Sequence, residues 1–511
     1  MNLDSRPTTF QISCRLVTAG RTLLLSLLLG ILLEVLGPPA FSQGADLRNH
    51  TADDRDTQSG FSDYLRETIK SAPNQPWKGT ADQILFPEHQ VRWDRYLHYF
   101  SRLPDWIDVG VDFRVRAELM TNPFRKGEFG TTEQLPLRTR FRFGMNGEIF
   151  KFLFEFQDSR SIGATEGELI SDALFNEAEI QQIFLSATLN NLFGMGLRND
   201  LHFGRINMDF GHRRLIARSR FRNTTNAFDG LHWNLGQGQV WRLRTFLVRP
   251  TPRTFGVFNQ LFEEDDTLFW GTHFESNHIS TLRTNLYYYG LNDDDPDISQ
   301  QRQYSTFGLR LYRTSRTGLF DYELEGAYQF GRRGEKDQQA WFGHATVGYT
   351  FDSMWEPRLL VQYDYASGTR DPNGTTSQTF DTLFGARRFE YNPTGVFGPF
   401  FRSNISSPGV RLVLWPTGDV KANVKYRWWY LAQGKDEWVG SGLQDPTGQA
   451  GNVLGSDFEI QFEWFLTSFI SFDAGYDHFF KGSYIDALAQ IPGNPPADDT
   501  DYVYFSTELR F

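Results

Sequence analysis

The sequence predicts an all-β fold: a transmembrane antiparallel β-barrel of about eighteen strands, preceded by a short, partly helical or disordered periplasmic N-terminal extension. Three observations predict it. Apolar and charged residues alternate at every second position over most of the chain. The connections between alternating runs are by turns short and long. The chain carries 47 Phe, 20 Tyr and 13 Trp at a mean hydropathy of only −0.46. Past the first few dozen residues no apolar run is long enough for a membrane helix, so aromatic richness of this kind suits a barrel.

Residues 1–42 read as a secretory signal peptide. Arg6, Arg15 and Arg21 precede the apolar stretch Thr22 to Leu36, and Ala40 and Ser42 are small residues before a cleavage at Gln43. Cys14, the single cysteine, lies in this segment, so the mature chain has no disulfide or thiol chemistry. Loss of three basic and two acidic residues takes the net charge from −11 to −12, which disfavours nucleic acid as a partner. Residues 43–105 form the periplasmic extension: a polar, flexible run, then an amphipathic stretch from Pro87 to Leu103 with Trp93, Leu97 and Phe100 on one stripe.

The barrel is expected over residues 106–511. Its strands are Trp106–Met120, Gln134–Glu148, Ile149–Ile162, Asn176–Leu189, Leu201–Phe210, Ala227–Leu235, Gln239–Arg249, Asp266–Glu275, Ser280–Leu291, Tyr304–Thr314, Phe320–Arg332, Gln339–Phe351, Pro357–Ser367, Ser406–Trp415, Val420–Leu431, Asp457–Phe465, Ser468–Phe479 and Asp501–Phe511. The hairpin "LRTRFRFGMNGEIFKFLFEFQD" (Leu137 to Asp158) shows the logic. Arg138, Arg140 and Arg142 share one face and Phe141 and Phe143 the other, because strand side chains alternate. A turn is expected at Met145-Asn146-Gly147. After it Phe150, Phe152, Phe154 and Phe156 oppose Lys151, Glu155 and Gln157. Short turns such as "GQG" and "PTGD" follow even strands, and long polar loops such as Gly368 to Ile405 and Ala432 to Ser456 follow odd ones. This is the outer-membrane arrangement, with both termini on the short-turn side. The last strand, apolar on one face and closing in Phe511, is similar to the assembly signal of bacterial outer-membrane barrels.

A charged group at the bilayer midplane costs about 2–4 kcal/mol on a barrel exterior, so the charged faces must turn inward to a wetted bore. The inward cations are Arg114, Arg116, Arg138, Arg140, Arg142, Lys151, Arg242, Arg244, Lys421, Lys425 and Arg427. The inward acids are Glu155, Glu323, Glu325, Asp364, Glu459 and Glu463. Two uses fit them: Arg–Glu ladders that stiffen the wall, or a cation-lined passage that favours anions.

The stretch "GRINMDFGHRRLIARSRFRNTTNAFDGLHW" (Gly204 to Trp233) crowds Arg213, Arg214, Arg218, Arg220 and Arg222 into one loop, where their repulsion calls for wall carboxylates or an anionic ligand. It resembles the alginate export family of outer-membrane proteins. That family shows Gly-Arg at a strand end, an aromatic residue before glycine, an arginine, and Phe-Asp-Gly opening the next strand. Here these fall on Gly204, Arg205, Phe210, Gly211, Arg214, Phe228, Asp229 and Gly230. "FRVRAEL" and "LRTRFRFG" also resemble its opening hairpin. The resemblance implies an arginine-rich constriction passing a polyuronate chain, with Arg205 and Arg214 as lumen cations and Asp229 as a loop anchor. Where many members carry an arginine before Phe-Asp, this chain has Asn226 and Ala227.

No catalytic constellation and no cofactor motif is present in the sequence. "NDDDPDIS" (Asn292 to Ser299) offers hard oxygens suited to Ca²⁺, and a solvated loop is the simpler account. Tyr287 to Tyr289 and the pair Trp428-Trp429 read as interfacial girdle. The expected function is an outer-membrane conduit for an anionic polysaccharide or small anions, with periplasmic export proteins as partners. A general or uptake porin with a braced lumen is the alternative, and an outer-membrane enzyme the third reading.

Overall fold

The computed structural model describes residues 103–511 except 105, 164–172, 193, 238–239, 254–257, 259–266, 387–399 and 468. The signal peptide expected over 1–42 and, but for Leu103 and Pro104, the extension expected over 43–105 lie outside the described residues.

The described chain forms a closed 18-strand antiparallel barrel. Its strands are β1 (Ile107–Thr121), β2 (Thr131–Asn146), β3 (Phe150–Ile162), β4 (Asn176–Leu192), β5 (Leu197–Ile206), β6 (Phe228–Gln237), β7 (Trp241–Pro250), β8 (Thr267–Ser276), β9 (Arg283–Asp293), β10 (Arg302–Arg313), β11 (Phe320–Arg333), β12 (Lys336–Thr350), β13 (Arg358–Ala366), β15 (Ile405–Leu414), β16 (Val420–Tyr430), β17 (Val453–Trp464), β18 (Ile470–Lys481) and β19 (Thr500–Arg510). β14 (Thr376–Ser377) is a two-residue piece pairing parallel with β12 inside a loop. Each barrel strand pairs with its sequence neighbours, and β1 closes on β19 from Asp112↔Arg510 to Thr121↔Asp501. Val111 and Phe511 finish the seam by exchanging main-chain hydrogen bonds of 2.9 and 2.8 Å.

Burial follows the period of two, inverted relative to a soluble protein. On β3, Lys151, Leu153, Glu155, Gln157 and Ser159 are buried, while Phe150, Phe152, Phe154 and Phe156 are half or fully exposed. Leu185, Phe203, Leu247, Phe307, Val361 and Phe505 continue the exposed apolar belt. The polar face is enclosed because it is the inside of a tube, and the greasy face is open because lipid covers it.

Three local features depart from the sequence reading. The β2–β3 hairpin turns at Glu148-Ile149: Asn146 pairs with Lys151, and the Gly147 N–H donates to the Phe150 carbonyl at 2.9 Å. Gly147 is not among the residues of positive φ, so the Asn-Gly pair supplies no left-handed turn and the reversal falls two residues later. β5 stops at Ile206, and Asn207 to Phe210, expected to extend it, instead leave the wall. The long loops are not simply solvated. Phe124 (β1–β2), Phe400 (β13–β15), Trp438 (β16–β17) and Tyr484 of α1 (Ser483–Leu488, between β18 and β19) share one buried cluster. Phe124 stacks on Trp438 at 5.3 Å and Phe400 on Trp429 at 4.3 Å. Of the aromatic groups read as girdle, only Tyr288 and Trp428 face out; Tyr287, Tyr289 and Trp429 point inward and are buried.

The Gly-Arg and Phe-Asp-Gly motifs meet at the end of the β5–β6 hairpin, where Gly204 faces Gly230 and Arg205 faces Asp229. Strict alternation would aim Arg205 and Asp229 outward with Phe203 and Leu231. Gly204 at φ +130° and Gly230 at φ +155° break the alternation. Backbone also passes too close for a side chain: a Cβ would lie 2.3 Å from the Ile183 carbonyl at Gly204 and 2.3 Å from the Leu247 carbonyl at Gly230. Gly204→Val should therefore cost more than about 2 kcal/mol. Urea titration of the folded, heat-modifiable band in an SDS gel measures it, and an unchanged midpoint would rule out this role for the kink.

Candidate functional site

Residues 207–227, between β5 and β6, fold into the bore. β4 runs on from Ile183, the partner of Arg205, to Asn176, so the loop departs well below the rim. Asn207, Met208, Ile216, Ala217, Asn223 and Thr224 are completely or almost completely buried.

One limb is fastened to the β7–β11 wall. The Arg214 guanidinium donates to Glu323 and Glu325 of β11, both buried. His212 meets Glu323 at 2.9 Å, Arg310 of β10 reaches the same carboxylate at 2.7 Å, and the Tyr287 hydroxyl donates to Glu325 at 2.8 Å. Arg244 lies 4.2 Å above the Phe210 ring and donates to the Asp209 carbonyl at 2.8 Å. The loop after β13 joins in as a short parallel strip. Phe384 N–H donates to Leu215, Ala217 N–H to Phe384, and Ala386 N–H to Arg213. Gly385 is required there, because a Cβ would sit 1.8 Å from the Arg214 carbonyl.

The other limb is fastened to β1–β3. Arg114 and Arg138 face each other across β1 and β2 and both donate to the Arg220 carbonyl, at 2.6 and 3.1 Å. Arg116 donates to the Phe221 carbonyl and lies 4.0 Å from its ring. Arg218 pairs with Glu155 of β3. The Asn223 amide donates to the carbonyls of Leu137, Arg160 and Leu174 at 3.0, 3.0 and 2.8 Å and accepts from Arg114 at 3.1 Å. The loop thus spans the bore between two walls.

The cations expected in the lumen fall into two groups. Arg205 is fully enclosed, bidentate on Asp229 at 2.7 and 3.0 Å and bonded to Glu179 at 2.9 Å, so it presents nothing to a passing solute. Asp229 holds the strand end at which the loop begins. Arg242 and Arg244 share Glu275, Lys425 pairs with Glu459 at 2.7 Å, and Arg427 with Asp364 at 2.8 Å. Arg142 lies 3.6 Å from Asp108, and Arg138 also reaches Asp112 and Glu508. In the second group, Arg114 and Arg140 meet only neutral acceptors among the described residues: two loop carbonyls and the Asn223 amide for Arg114, and Gln157 at 2.6 Å for Arg140. Arg213, at φ +59°, is half-buried, and Arg220 touches solvent inside the tube. Enclosure in the bore and the neighbouring Arg213 hold the Arg220 guanidinium below its usual range. Burial holds the Asp209 carboxyl above its usual range.

Sequence reasoning missed Asn223 and Asn226 as hubs. Asn226 Oδ1 accepts from Arg222 at 2.7 Å and from Arg253, so a guanidinium from β7's end reaches the place where Asn226 stands for the expected arginine. It also missed the entry of the β13–β15 loop. The available signal was Phe380, Leu383, Phe384 and Phe400 in a run read as polar, since a solvated loop has no use for them. In the loop from Asn292 to Ser299 the carboxylates serve their own turn: Asp297 accepts from Ser299 and Asp295 from the Asp297 N–H.

A closed barrel with an apolar exterior, an ionic bore and a loop folded across it defines an outer-membrane channel. Its place is the cell outer membrane, and its class is that of channels rather than enzymes. The chain belongs to the alginate export family, whose sequence profile matches residues 105–490. In fold it is similar to OccD3 (OpdP) of Pseudomonas aeruginosa, with a TM-score of 0.53 at 12% identity over 80% of this chain and 92% of that one. It is also similar to OccK8 (OprE) of Pseudomonas aeruginosa (0.52, 11%, 79% and 98%) and to OccAB4 of Acinetobacter baumannii (0.52, 10%, 79% and 98%). At these identities the likeness is one of fold. No curated protein matches the chain in sequence.

Arg214→Ala would leave Glu323 and Glu325 short of their shared cation and free the loop from the β11 wall. Breaking a buried pair of this kind costs about 3–5 kcal/mol; Arg310, His212 and Tyr287 retain part of it, so the expected loss is about 3 kcal/mol. Planar-bilayer recording should show larger or noisier single-channel currents, and a wild-type conductance trace would argue that Arg214 does not hold the constriction.

Proposed function

We propose that the protein passes anionic solutes, and an anionic polysaccharide of the polyuronate type in particular, by diffusion past the loop of residues 207–227. The observation that carries this reading is that Arg114 and Arg140 are hydrogen-bonded to neutral acceptors, Arg114 at the Arg220 carbonyl and Arg140 at Gln157. A carbonyl or amide oxygen satisfies an N–H without cancelling its charge, so the crossing keeps a positive potential even in a chain of net charge −11. Arg220 and Arg213 add two further cations on the loop itself. Such a site lowers the entry barrier for a carboxylate-bearing chain and binds it weakly, because conduction needs exit as well as entry. Export would draw polymer from periplasmic partner proteins.

A second reading, a general or uptake porin with a stiffened wall, is favoured by the ion pairs of Arg242, Arg244, Lys425 and Arg427 with their carboxylates. Bilayer recording separates the two. Reversal potentials in a salt gradient should show anion preference, and polyuronate added to one chamber should block the current. Arg213→Ala with Arg220→Ala should weaken that block roughly tenfold, about 1.4 kcal/mol, and shift selectivity toward neutrality. A cation-selective pore indifferent to polyuronate would sink the first reading and leave the second.

A further inference from the structure

Away from the crossing, the bore carries an acidic triad that the conduit does not use. Asp457 and Glu459 lie two apart on the inner face of β17, and Asp477 faces Glu459 across β18. One ligand oxygen of each lies within 4.8 Å of the others, and all three residues are buried. Like charges directly opposite on neighbouring strands repel. Lys425 donates to Glu459 at 2.7 Å, and Arg427 stands opposite Asp457 in register. Arg427, next along β16, reaches to Asp364 and Ser407. Asp457 gives one oxygen to the Trp429 indole N–H at 2.6 Å, and its second oxygen accepts nothing. Asp477 is completely buried, and neither of its oxygens accepts a hydrogen bond from a donor group of the protein. A buried carboxylate set against two others calls for a cation or a shared proton.

We propose that Asp457, Glu459 and Asp477 form a binding site for a divalent cation of the Ca²⁺ type, bracing β17 and β18 beneath the aromatic loop cluster. The donors are all carboxylate oxygens, the preference of a hard cation. Burial favours Ca²⁺ over Mg²⁺: Mg²⁺ gives up its waters reluctantly, whereas Ca²⁺ accepts several carboxylate oxygens in a flexible geometry. The bound ion would also mask an anionic patch in the bore. The inference does not depend on which solute passes.

Trp429, hydrogen-bonded to Asp457, provides the readout. Tb³⁺ added to the full mature barrel in detergent should emit on tryptophan excitation, and Ca²⁺ should displace it far better than Mg²⁺. Asp477→Asn should lose the Ca²⁺-displaceable emission, with affinity weakened at least roughly tenfold, while keeping heat-modifiable mobility on an SDS gel. Should that variant fail to fold, Asp457→Asn carries the same expectation. Asp295→Asn with Asp297→Asn, in the exposed acidic loop, should leave the signal unchanged. No Ca²⁺-displaceable emission from the wild type, or full retention in Asp477→Asn, would overturn the site, as would loss on changing the exposed loop instead.

Discussion

The structure depends on how a stretch of irregular backbone can cross a bore. Peptide N–H and C=O groups taken from water need partners. Residues 207–227 lack a sheet of their own, so the barrel wall supplies those partners. Arg114 and Arg138 give their N–H groups to the Arg220 carbonyl, Arg116 to Phe221, and Arg244 to Asp209. On the far side the strip formed with Phe384 to Ala386 takes three more, at Arg213, Leu215 and Ala217. The wall arginines are therefore structural donors before they are anything else. A lysine would hold fewer contacts, because the planar guanidinium presents several N–H groups in a fixed fork.

The same chemistry divides the bore electrically. Where a guanidinium meets a carboxylate, as Arg205 does with Asp229 and Arg427 with Asp364, its charge is cancelled and the wall gains stiffness. Where it meets a carbonyl or an amide, the hydrogen bond is made but the charge remains. Arg114 and Arg140 are of this second kind, and Arg114 reaches the Arg220 carbonyl. Bracing and anion attraction are thus not competing uses of arginine in this wall. The acceptor decides which one a given residue serves, and both kinds occur where the loop crosses: Arg214 and Arg218 meet carboxylates, Arg114 carbonyls and an amide.

The barrel was readable because its period of two is imposed locally, on every strand, by the difference between lipid and water. The hairpin around Leu137 to Asp158 carries that difference in its own letters, and the strand ends elsewhere shift by only a few residues. The fate of the loops was not readable in the same way. Five arginines between Arg213 and Arg222 announce a need for counter-charges but not which wall provides them, since Glu155 and Glu323 come from strands distant in sequence. The Asn-Gly pair before Glu148 signalled a left-handed turn, yet the flanking strands are long enough to set their own register and place the turn two residues on. Phe380 and Phe384 showed that their loop seeks a core without showing where that core lies.

The motifs that tie this chain to its family bear on architecture more than on cargo. Gly204 and Gly230 face each other with backbone conformations that side chains rarely adopt, and the neighbouring Arg205–Asp229 pair is sealed from the bore. This unit ends β5 early and turns the chain inward, which creates a constriction whatever passes through it. The arginines that the proposed function invokes, Arg114, Arg140, Arg213 and Arg220, lie outside the glycine motif. Two channels could share the kink and the sealed pair yet differ in what they admit, because the charges exposed at the crossing can vary while its supports remain. The proposed selectivity would thus be a property of the acceptors facing a few arginines, set on a crossing that the glycine pair builds.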